Sequence, residues 1–129
     1  FFGKEPISSH AILENEGHEV YIRGTVLLNF GKSQTASLTF GFNNMYQSKY
    51  TIWGTKGMIT LERAYALSPD FSPTCILEKN GFKEVYNLEP CNHFIEEIKY
   101  FNDNYKNEQM KTDWYNEAVN QSKALESLY

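Results

Sequence analysis

Thr74 to Tyr105 reads TCILEKNGFKEVYNLEPCNHFIEEIKYFNDNY, and the fold class turns on this stretch. Two runs suited to strands, Thr74 to Lys79 and Phe82 to Leu88, flank Asn80-Gly81. Asn-Gly is the strongest short hairpin signal, because both residues tolerate the positive φ of a tight turn. Beyond Pro90 the period changes. Phe94, Ile95, Ile98, Phe101 and Tyr105 recur at helical spacing. Asn92 is placed to cap that helix, with Glu96 and Glu97 near its positive end. The chain therefore passes from strands to helices at Pro90.

Upstream of this hairpin the period remains two. Pro69 and Pro73 frame an irregular stretch from Leu67 to Ser72. Strands are expected over Gln47 to Trp53 and Met58 to Tyr65, turned by Gly54-Thr55-Lys56-Gly57. The glycines there would supply a positive φ or a close backbone approach. From Val20 to Phe30, Val20, Ile22, Val26, Leu28 and Phe30 share one parity. Gly31-Lys32-Ser33 breaks the run, and Ala36, Leu38, Phe40 and Phe42 line the next strand. Ile7 to Glu14 fits an edge strand. Downstream, Lys106 to Lys111 reads as a polar loop. Thr112 is expected to cap a second helix with Trp114, Ala118, Leu125 and Leu128 as its apolar stripe.

The expected fold is α+β. It has an open, mostly antiparallel sheet of six or seven strands, with two C-terminal helices packed on one face. Large side chains occupy both strand parities, as with Leu27 and Tyr21 opposite Val26 and Ile22. Two helices leave a second face free, so a homo-oligomer through that sheet face is expected.

The 129 residues suit one domain and are too few for a dinucleotide-binding domain plus a substrate domain. Apolar residues at 41% and charged residues at 22% describe a globular chain, not a disordered one. A net charge of −4 argues against nucleic acid as partner, which demands a basic footprint. No apolar run approaches the roughly 20 residues of a membrane span. Cys75 and Cys91 make neither a zinc site nor a disulfide framework, and suit reduced thiols in a cytoplasmic protein. The chain opens Phe1-Phe2-Gly3 without a Met, which suggests a piece of a longer polypeptide.

Few residues suggest chemistry. Gly54-Thr55-Lys56-Gly57 lies between strands, whereas a phosphate cradle needs a helix N-terminus. Glu96 and Glu97 point about 100° apart on a helix, so they cannot share a proton. His10 and His18 lie in a polar stretch. His93 stands at the mouth of the first helix, where it would either orient a ligand or pack against a neighbouring loop. Arg63 would bind a phosphate or carboxylate through its planar fork, or form a salt bridge. Tyr46, Tyr65 and Tyr86 suit stacking on a sugar, or packing.

Three stretches carry a family resemblance. Residues 50–65, YTIWGTKGMITLERAY, resemble the "GTKG-strand-ERAF" segment in C-terminal domains of the Gfo/Idh/MocA oxidoreductases, the relatives of glucose–fructose oxidoreductase and inositol dehydrogenase. Ser68-Pro69-Asp70-Phe71 resembles the loop that follows. Asn92-His93-Phe94, with Phe101 beyond it, is similar to the family's "NHF…F" helix opening.

The resemblance spans about Val20 to the C-terminus. It implies an N-terminal Rossmann domain that binds NAD or NADP, absent from this chain. Residues 1–129 would be the C-terminal domain, an open sheet that covers the active site and mediates oligomerisation. The substrate would be a sugar, an inositol or a sugar nucleotide, with the variant here most like members from sugar-nucleotide pathways. The family's glycine-rich loop and its Glu-Lys-Pro motif are missing. The helix that bears its active-site Asp and His would end before Phe1. No catalytic, cofactor-binding or metal-ligating residue is therefore carried over. The expected substrate-facing residues are Arg63, Tyr65 and His93, and the isolated chain is expected to be inactive. The residues also fit a stand-alone sheet-based binding or dimerisation module. A Gly-x-Gly-x-x-Gly after a strand upstream of Phe1 separates these alternatives.

Overall fold

The structure, a computed structural model, describes residues 3–128. Seven strands precede two helices: β1 Ser8–Glu14, β2 Arg23–Gly31, β3 Gln34–Gly41, β4 Tyr50–Gly54, β5 Gly57–Leu61, β6 Thr74–Lys79, β7 Phe82–Asn87, α1 His93–Asn104 and α2 Glu108–Glu126. Every pairing between these strands is antiparallel. The fold is α+β, with the strand number and the C-terminal helices expected from the sequence. The single sheet is not found. The strands divide into a three-stranded sheet β1-β2-β3 and a four-stranded sheet β4-β5-β6-β7. The break falls between β3 and β4, where Asn43-Asn44 ends one hairpin and nothing pairs the two ladders. The helices divide too: the chain forms two compact units, residues 1–44 with 107–129, and residues 45–106.

In the first unit the alternation seen in the sequence becomes burial. Val26 is 6% exposed and Ile22 8% exposed, whereas Leu27, one step from Val26, is 50% exposed. Val26 stands between Ala11 on β1 and Leu38 on β3, so one face of the sheet carries the apolar row. The β2–β3 turn uses Lys32 (φ 52°) and Ser33 (φ 61°) after a bulge at Gly31. Val20 stays outside β2 and is exposed.

Helix α2 begins earlier than expected. Asn107 is its cap, accepting from the backbone N–H of Gln109 at 3.0 Å and Met110 at 3.2 Å. Thr112, the residue expected to cap, lies within the helix and donates to the Glu108 carbonyl at 3.0 Å. Asn outcompetes Thr because it precedes a run of good helix formers, Glu108-Gln109-Met110-Lys111. Of the half-buried residues, Met110, Trp114, Ala124 and Leu128 share one face and Val119 lies opposite; Trp114 and Leu128 of the expected stripe are on that face, whereas Ala118 and Leu125 are exposed. The C-terminal end of α2 is tied to β1, where the Ser9 hydroxyl donates to the Ser127 carbonyl at 2.9 Å.

In the second unit the β6–β7 turn uses Asn80 (φ 51°) and Gly81 (φ 80°), as the dipeptide required. Gly57 opens β5 at φ 154°, and a Cβ there would sit 2.5 Å from the Glu78 carbonyl oxygen. Helix α1 is capped by Asn92, whose side chain accepts from the Ile95 N–H at 3.2 Å. Along its apolar stripe Phe94, Ile98, Phe101 and Tyr105 each keep part of their surface exposed, Ile98 at 62%. The two helices fall in different units, α2 in the first and α1 in the second. No helix among the described residues is long and apolar enough to cross a membrane.

Candidate functional site

The site lies in the second unit, where the chain leaves β5 and wanders before β6. Strand β5 ends at Leu61, so Arg63 lies beyond the strand expected to run from Met58 to Tyr65. Arg63 instead forms an isolated parallel bridge with Ser48. Ser48 then holds the segment in place. Its carbonyl accepts from the Ala64 N–H at 2.7 Å, and its hydroxyl accepts from the Tyr65 N–H at 3.1 Å. The same hydroxyl lies 3.3 Å from the Tyr65 carbonyl. Ala66 follows at φ 50°, a left-handed conformation that costs a non-glycine residue energy and turns the chain sharply.

This bent segment and the chain leading into α1 enclose an open cleft of about 340 Å³. Tyr65, Leu67 and Phe71 from the bent segment and Glu89, Cys91 and His93 from the chain leading into α1 line it. The two segments are tied to each other. The Leu88 N–H donates to the Pro73 carbonyl at 2.9 Å, the Ser72 hydroxyl donates to the Leu88 carbonyl, and Pro73 is buried. Tyr65 leans toward Tyr50, with ring centroids 6.2 Å apart. His93 is half-buried with its ring 4.3 Å from that of Phe94, so its imidazole is held by packing at the helix mouth.

Two of the three expected residues, Tyr65 and His93, thus line one cleft. Arg63 stands beside it. Its guanidinium carbon lies 5.0 Å from the ring centre of Tyr46 and 5.6 Å from that of Phe71, and Phe71 itself lines the cleft. No carboxylate forms an ion pair with Arg63 among the described residues, so the expected alternative of a salt bridge is replaced by cation–π contacts. Sequence reasoning missed Glu89, Cys91 and the clamp at Ser48. Nothing in their local pattern marks them, because the contacts that give them a role come from residues distant in sequence. No group of His, Cys, Asp and Glu among the described residues is arranged to hold a metal ion. Both cysteines are free thiols, Cys91 exposed and Cys75 half-buried.

No protein-family model matches the chain. Curated relatives do. The dTDP-3,4-didehydro-2,6-dideoxy-alpha-D-glucose 3-reductase of Streptomyces antibioticus is 28% identical over 102 residues, covering 78% of this chain and 31% of that protein. The enzyme of the same name from Saccharopolyspora spinosa is 31% identical over 81 residues, covering 63% of this chain and 24% of that one. The chain is similar to one part of sugar-nucleotide 3-ketoreductases. It spans about a third of those relatives or less. Among solved structures, KijD10, a 3-ketoreductase from Actinomadura kijaniata in an open conformation with TDP-benzene and NADP, shares the fold. The TM-score is 0.81 at 22% identity, over 92% of this chain and 38% of that one. Another crystal structure of KijD10 with the same two ligands aligns with TM-score 0.66 at 25% identity, over 74% of this chain.

Proposed function

We propose that the chain is the C-terminal substrate and oligomerisation domain of a Gfo/Idh/MocA-family oxidoreductase that reduces a keto group on a sugar nucleotide, with NADP as the cofactor of the whole protein. The observation that carries this is the agreement of sequence and fold with the same kind of enzyme, each over roughly a third of that enzyme's length. NADP is favoured over NAD because the KijD10 crystals contain NADP.

The dinucleotide does not fit the residues present. A pyrophosphate is held by free backbone N–H groups at a glycine-rich helix start. Here Asn92 fills the start of α1 and Asn107 the start of α2, while the glycines at 54 and 57 join two strands. When bound elsewhere in the whole protein, NADPH supplies the hydride that reduces the carbonyl. This domain's part is to bind and orient the sugar nucleotide through Arg63, Tyr65 and His93. It also holds the subunits together through the exposed sheet face that carries His10, Ile12 and Leu27. The protein would be cytoplasmic.

The test is the intact gene product. Incubated with a dTDP-3-keto-sugar, it should oxidise NADPH in step with formation of the 3-hydroxy sugar nucleotide. A pure gene product that folds and leaves both compounds unchanged refutes the proposal.

A further inference from the structure

We propose that the cleft beside β5 receives the sugar nucleotide in one polarity, with the glycosyl group between Tyr65, Glu89 and His93 and the diphosphate outside, on Arg63. This rests on the reading above and adds the orientation of the substrate and a role for Glu89.

Small-molecule sites run from roughly 300 to 1,000 Å³. At about 340 Å³ this cleft stands at the bottom of that range, so a whole sugar nucleotide extends beyond it. Charge then decides which end goes in. Glu89 lines the cleft, and a carboxylate repels a diphosphate while accepting hydrogen bonds from sugar hydroxyls. Tyr65 adds a phenol and a ring, and His93 an imidazole with one donor and one acceptor. Together they provide an aromatic surface and hydroxyl partners, as a pyranose ring requires.

The cation stands at the rim. Arg63 precedes the lining residue Ala64, places its guanidinium by the lining residue Phe71, and has no carboxylate partner among the described residues. The two rings of Tyr46 and Phe71 bracket its guanidinium and restrict the fork without neutralising it. A bracketed, unpaired guanidinium next to an acidic cleft separates phosphate from sugar. The walls are set in advance by the Ser48 clamp and the Pro73–Leu88 tie, which lowers the ordering cost of binding.

The experiment is an NMR titration of the chain with TDP-glucose, TDP and inorganic pyrophosphate. All three should bind, with TDP-glucose tightest. The His93 ring signals should move with TDP-glucose and stay in place with pyrophosphate. Arg63→Ala should weaken all three by about tenfold or more, and Arg63→Lys by less, since it keeps the charge and loses the fork. Glu89→Gln should weaken TDP-glucose several-fold and leave pyrophosphate unchanged or tighter. A merely structural role for Glu89 would not split the ligands in this way. The proposal is overturned if TDP-glucose shows no saturable binding below about 10 mM. It is equally overturned if a folded Arg63→Ala chain titrates like wild type, or if Glu89→Gln weakens pyrophosphate as much as TDP-glucose. An intact gene product that is an active reductase, combined with any of these results, refutes the polarity and leaves the reductase reading standing.

Discussion

The two units of this chain are built from the same parts, antiparallel hairpins and one helix, and bury them differently. The first unit places Ile22 and Val26 in a core and ties its helix to its sheet through Ser9 and Ser127. The second unit has a larger sheet and a helix with a clear apolar stripe, yet Phe94, Ile98, Phe82 and Val85 all stay exposed. The first unit holds itself together. The second carries the cleft, and both units keep large apolar side chains exposed, Phe42 in the first and Phe82 in the second.

Substitutions can break or sharpen this contrast. Ile22→Ala should have the largest effect, about 2–4 kcal/mol in chemical denaturation, since it empties one of the few buried positions. A loss below about 1 kcal/mol would mean the first unit has no core at that point. Gly57→Ala comes next, at about 1–3 kcal/mol, because its Cβ would meet backbone and not a movable side chain. If the β4–β5 turn accepts alanine without cost, the close approach to Glu78 is wrong. Ile98→Ala, at 62% exposure, should cost less than about 1 kcal/mol in the isolated chain. A cost comparable to Ile22→Ala would erase the difference between the units.

The smallest expected effect is in titration. The Glu84 carboxylate accepts from the Tyr86 hydroxyl and raises that phenol above its ordinary 10.0, while Glu96 does the same for Lys99 above 10.5. Both groups bind protons more tightly in the folded state. The stability they lend is thus present below their ordinary values and is lost as pH rises through the folded ones. Glu84→Gln should return the Tyr86 titration toward 10.0, followed by NMR of the ring carbons. An unchanged curve would remove the contact.

The sequence was most informative where signals were local. Asn80-Gly81 marked its hairpin, and Asn92 its helix start, because each acts on backbone within a few residues of itself. The alternation around Val26 named the buried face. The division into two sheets was not visible, since the failure of β3 to pair with β4 is a non-local fact. The start of α2 was misplaced because Asn107 and Thr112 are both good caps, and the better placed one prevails. The stripe of α1 was legible as a stripe but not as exposed, because periodicity specifies a face and not what covers it. At the site, Tyr65 and His93 could be chosen by chemical type. Their shared cleft, the bracket of Tyr46 and Phe71 around Arg63, and the presence of Glu89 depend on contacts between distant residues.

The central claim is a division of labour: this chain binds the sugar nucleotide, and the dinucleotide belongs to another part of the whole protein. Calorimetric titration of the 129-residue chain with NADPH tests it most directly. No saturable heat is expected below about 1 mM. A dissociation constant in the low micromolar range would contradict it and assign the cofactor site to the residues described above.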